Sequence, residues 1–173
     1  FKTQWVLGSV GGDATTIAAS NKAYVPLLYG AKGFSFAPAP SDSTDEYIAL
    51  FQKIYSAAQP TQTFDNNVVA GMSNAFLAVQ ALQATGSNLT RAGLIKTVET
   101  KGASFANPFL TPLGYSATSH VGATGYWIGT YDPTGALKPD GGKYTVYTTD
   151  SGNGPVVESS YKRPAMPAKG LPN

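Results

Sequence analysis

An α/β fold is predicted by three features of this chain. Short β-branched and aromatic runs alternate with helical patterns over its first hundred residues. Those helical patterns carry recognisable start and stop residues. No repeat at a solenoid period is present, so one sheet flanked by helices is the simplest architecture. At 173 residues the chain is long enough for one ordinary domain or for pieces of two lobes.

The elements follow in order. Thr3 to Leu7 is a short apolar run that stops at Gly8-Ser9-Val10-Gly11-Gly12-Asp13, and Ala14 to Ala19 is Ala/Thr/Ile-rich. The pattern reads as strand, glycine-rich turn and helix, with Asp13 as N-cap. Gly30 to Phe36 gives another short strand, and the proline-rich Ala37 to Asp42 forbids regular hydrogen-bonded structure. From about Thr44 to Ala57, Tyr47, Ile48, Phe51, Ile54 and Tyr55 recur at helical spacing, with Asp45 and Glu46 in the first turn where the helix dipole favours them.

A second helix is signalled by Val68, Met72, Ala75, Phe76, Val79 and Leu82 and ends near Gly86, a residue free to adopt left-handed backbone. A third, capped by Asn88 or Thr90, carries Leu94, Ile95 and Val98 up to Gly102. Tyr126 to Tyr131 and Lys143 to Thr149 read as two strands, paired antiparallel, with turns between them. Beyond Tyr161 the prolines and the lack of periodicity predict an extended tail lying over the surface.

Composition removes several function classes. Charged residues make up only 13% of the chain, and the net charge of +2 includes no Lys/Arg cluster able to track a phosphate backbone, so nucleic acid is not an expected partner. Cysteine is absent and His120 is the single histidine, so no metal and no cofactor is expected. His120 sits in a Ser/Thr/Gly loop without a Gly-x-Ser-x-Gly elbow, so catalysis is not assigned and a hydrogen bond to backbone is expected instead.

Two places are candidates for holding a ligand. The loop Gly8 to Asp13 lies past the end of a strand, where glycines let backbone approach a bound molecule, which singles out Ser9, Val10, Gly11 and Asp13. The competing reading is a tight turn with Asp13 acting only as a cap. Asn67, Met72 and Ser73 near the start of the second helix offer hydrogen bonds and an adaptable thioether, although Met72 also falls on the apolar stripe that would pack into the core. The aromatic group Tyr126, Trp127, Tyr131, Tyr144 and Tyr147 reads as one packed and one partly exposed sheet face rather than a stacking platform.

The stretch that opens at Met72, MSNAFLAVQALQATGSNLTRAGLIKTVET, resembles the type I periplasmic binding proteins of the branched-chain amino acid transporter family, in their C-terminal half. There an Ala/Leu-rich helix ends at a glycine and a Leu-Thr-Arg helix start follows, the places of Gly86, Leu89, Thr90 and Arg91. Lys2 to Asp13 is similar to a family strand and loop, and Lys32-Gly33-Phe34 to the strand entering an inter-lobe crossing. Ser116 to Val121 and Tyr126 to Tyr131 are similar to the loop and strand near another crossing. Two departures stand out: Met72 replaces a tyrosine, and the first loop offers Ser9 and Asp13 rather than a glutamate.

The resemblance implies part of a two-lobed fold with Rossmann-like sheets. Residues 1–36 would end the C-terminal lobe, 37–42 would cross, 43–120 would give N-terminal-lobe helices and a loop, and 121–173 the third crossing, terminal strands and tail. It further implies a non-enzymatic, periplasmic or extracellular solute-binding component of an ABC importer, with a lipid anchor as one form of attachment. Its solute would be an amino acid or a small carboxylate or aromatic molecule. Its partners would be the importer's membrane subunits and a missing N-terminal half, supplied as a separate chain or replaced by self-association. A secreted hydrolase and the ligand-binding ectodomain of a sensor are the competing functions.

Overall fold

The computed structural model describes residues 3–8, 12–87, 89–149 and 154–168. Helix α1 (Ala14–Asn21) starts where the Asp13 carboxylate accepts the Thr16 backbone N–H, and runs into a tighter turn over Lys22–Leu28. Strand β1 (Lys32–Ser35) follows. Helix α2 (Glu46–Ala58) is capped by Asp45, which accepts from the N–H groups of Tyr47 and Ile48, and it buries Tyr47, Ile48 and Phe51. Helix α3 (Asn66–Thr85) is capped by Asp65 and stops at Gly86, whose φ of 81° suits glycine. Its inward residues Val69, Ser73, Phe76, Leu77, Gln80 and Ala81 recur at helical spacing. Helix α4 (Arg91–Lys101) is capped by Thr90 and buries no residue outright, while Leu94 and Val98 lean on the core.

The remaining strands are β2 (Gly125–Tyr131), β3 (Leu137–Pro139), β4 (Val146–Thr148) and β5 (Val157–Glu158). Strand β2 is the hub: β1, β3 and β4 all pair with it antiparallel, and β5 extends the sheet from β4. The fold is therefore α/β, with an open, antiparallel sheet and flanking helices. Among the described residues the opening strand reduces to one parallel bridge at Val6–Lys32, held by Leu7 N–H to Lys32 C=O at 2.9 Å and Lys32 N–H to Trp5 C=O at 2.8 Å. Strand β4 starts later than the sequence predicts because Tyr144 is occupied elsewhere: its hydroxyl accepts from Ala39 N–H and donates to Asp42.

Alternation along β2 sorts its aromatic residues as expected. Trp127 and Tyr131 are buried, Tyr126 is half-exposed and meets Phe34 edge-on, and the Trp127 indole N–H donates to Ala37 C=O at 2.8 Å. One apolar cluster gathers Ile48, Val69, Leu77, Phe105 and Phe109, and another joins Tyr47, Phe51 and Phe76 in edge-to-face contacts.

Buried polar groups fasten the loops. The Gln80 amide closes two 2.7 Å hydrogen bonds with the Ala106 backbone. Asn107, fully buried, donates to Thr111 C=O and to the Tyr161 hydroxyl. The tail does lie extended over the surface, but it is stapled there: Arg163 pairs with Asp45, donates to Pro108 C=O and sits 4.9 Å from the Tyr47 ring centre. His120 differs from expectation, since its Nε2 lies 3.1 Å from the Glu99 carboxylate rather than against backbone.

Candidate functional site

A cleft of about 530 Å³ opens where the start of α1, the start of α3 and the sheet converge. That size is typical of a small-molecule pocket. Its rear is aromatic, formed by Phe34, Phe36, Trp127 and Tyr131, and Phe64, Val69 and Ala70 continue the apolar lining on the α3 side. Ser35 and the segment Ala37 to Ser41 close one end.

The polar groups concentrate at the two helix starts. Asp13 is 3% exposed and bonded on both carboxylate oxygens. Oδ1 accepts from Thr16 N–H at 2.7 Å and the Thr16 hydroxyl at 2.9 Å, and Oδ2 accepts from the Asn66 amide at 2.9 Å. Asp13 thus caps one helix and ties it to the start of another, 53 residues away in sequence. Asn67 reaches the Thr16 hydroxyl at 3.5 Å, the outer limit of a hydrogen bond. Asp65 caps α3 through Val68 N–H at 2.9 Å, and Gln52, Thr63 and Thr134 complete the polar lining.

Tyr131 explains two glycines. A Cβ built on Gly12 would stand 2.1 Å from its hydroxyl, and one on Gly33 would stand 2.7 Å away. Side chains at either position would expel the ring from the cleft wall. Burial, reinforced by the neighbouring Asp13 carboxylate, raises the Tyr131 pKa, so the phenol stays protonated.

Of the residues singled out from sequence, Asp13 and Asn67 line this cleft together. Ser9, Val10 and Gly11 lie outside the described residues. Met72 packs against Tyr47, Phe51 and Phe76 instead. Ser73 is completely buried, and its hydroxyl has no hydrogen-bond partner among the described residues. The helix period explains both: α3 turns these two positions to the interior. Sequence reading missed Asn66, Asp65 and Gln52; recognising Asp65 as the N-cap would have moved the helix start back and brought in Asn66. His120 does not line the cleft.

Among the described residues no helix is long and apolar enough to cross a membrane. No curated protein and no solved structure matches the chain significantly. A family model described as periplasmic binding protein does match, over residues 1–137. With most of its length covered and a polar-aromatic cleft between helix starts and sheet, the chain belongs to the type I periplasmic binding protein family, whose members bind solutes outside the cytoplasm.

Proposed function

We propose that the chain is the solute-binding component of an ABC importer, a non-enzymatic receptor that takes an amino acid or small aromatic solute into the cleft between α1 and α3. The observation that carries this reading is the cleft itself: a mostly apolar recess with both of its carboxylates, Asp13 and Asp65, and the amides of Asn66 and Asn67 at two helix starts. Asp13 and Asn67 would meet the solute, with the loop at Ser9 to Gly11 next to Asp13 in sequence.

Residues 37–42 would act as a hinge between lobes, and closure around the solute would report occupancy to the importer's membrane subunits. The buried Pro38 and the Tyr144 clamp on Ala39 and Asp42 support a segment whose ends are held while its dihedrals change. A complementary lobe, as a separate chain or a second copy, would cover the apolar groove near Trp5 and Leu27. The hydrolase reading finds less support, because His120 pairs with Glu99 away from the cleft acids.

Thermal-shift titration with amino acids, small carboxylates, amines and aromatic solutes tests the proposal. A saturable rise in Tm with at least one of them is the expected result. Failure of the whole set, with a folded protein shown by circular dichroism, would overturn it.

A further inference from the structure

The charge of the cleft narrows the class of solute, given the solute-binding reading above. Among the described residues its lining holds two carboxylates, Asp13 and Asp65, and no Lys, Arg or His. The lysines near its walls in sequence, Lys32, Lys53 and Lys138, do not line it, and Lys32 is engaged outside it with Asp140 and Thr130.

A helix N-terminus often receives a ligand carboxylate through its free N–H groups and its positive dipole end. Here both helix starts at the cleft already have an anion. Asp13 takes the Thr16 N–H and Asp65 the Val68 N–H, so one donor at each start is taken and the positive end of each dipole already faces one of the chain's own carboxylates. An incoming carboxylate would meet two like charges at close range in the cleft. A cation meets the opposite. Asp65 uses only Oδ1 for its cap, which leaves Oδ2 without a partner among the described residues, and the aromatic rings of Phe34 and Phe64 line the same cleft, a setting that suits a cation.

We infer that the solute is an organic ammonium, an amine carried on an apolar or aromatic body, and that a molecule whose only charge is a carboxylate is rejected. The ammonium would donate to Asp65, and the body would fill the space before Phe34 and Phe64.

The test compares 2-phenylethylammonium, 3-phenylpropionate and neutral 3-phenylpropanamide by calorimetry on the protein and on Asp65→Asn. Asparagine caps a helix as well as aspartate, so the variant keeps α3 intact. The amine is expected to bind at least tenfold tighter than the acid, and Asp65→Asn to lose most of that preference. Equal or tighter binding of the acid overturns the inference, as does an amine preference that Asp65→Asn leaves unchanged. Binding of the acid or the amide without binding of 2-phenylethylammonium also overturns it while leaving the solute-binding reading intact. Absence of binding by any solute at all overturns both.

Discussion

Two concavities of nearly equal volume sit on this molecule, and only one is built as a site. The cleft between α1 and α3 measures about 530 Å³ and the groove near the first bridge about 550 Å³. The groove is lined by aliphatic and aromatic residues without a charged or amide group: Trp5, Leu7, Ile17, Tyr24, Leu27, Leu28 and Ala31. Tyr24 and Leu27 are more than half exposed there. The cleft instead holds side chains fixed by hydrogen bonds, with Asp13 locked on both oxygens and Trp127 pinned through its indole N–H. Volume does not distinguish the two places. Anchored polar groups do, because they can reward one ligand and penalise another.

The sharpest way to break this contrast is to remove the back wall of the cleft. Trp127→Ala deletes the largest fully buried side chain and its bond to Ala37, and should destabilise the fold by about 3–5 kcal/mol in urea denaturation. Asp13→Ala removes a cap and leaves the Asn66 amide without its partner. Its expected cost is about 1–3 kcal/mol, accompanied by loss of solute binding in the same titration. Leu27→Ser, on the exposed rim of the groove, should change stability by no more than about 0.5 kcal/mol and leave binding untouched. Ser73→Ala should be neutral or slightly stabilising, since the hydroxyl it deletes is buried without a partner among the described residues, and binding should persist.

Alkaline titration adds a check on the core beside the cleft. Burial pushes Tyr47 up to about 12, with the Arg163 charge opposing, and burial likewise raises Tyr144 to about 12. Both phenols have folded pKa values above the unfolded one. Their contribution to stability is therefore intact below about pH 10 and is lost as pH rises toward 12. Tyrosinate absorbance from Tyr47 and Tyr144 that appears only with unfolding is the expected signature, read as the difference from Tyr47→Phe and Tyr144→Phe. Absorbance rising near pH 10 in the folded protein for all ten tyrosines would contradict the burial described here.

How much of this was legible in the sequence divides by range of interaction. Local chemistry read well: the Asp13 cap, the α2 pattern, the stop at Gly86 and the Thr90 start are each decided within one helical turn. The antiparallel pairing of β2 with β4 also read through, but side-chain pairings between distant segments did not. Asn66 meets Asp13 only because α1 and α3 converge, and Gln80 meets Ala106 across 26 residues. Met72 and Ser73 carry the right chemistry for a ligand but the wrong helical phase for the cleft. Strand β3, with three residues and a proline, gave no periodic signal at all.

The most direct test of the central claim is a thermal-shift titration run in parallel on the unaltered protein, Asp13→Ala and Leu27→Ser. A solute that raises the Tm of the unaltered protein is expected to raise that of Leu27→Ser as well and to leave that of Asp13→Ala unchanged. A shift that survives Asp13→Ala and disappears in Leu27→Ser would place the binding site in the apolar groove and contradict the account.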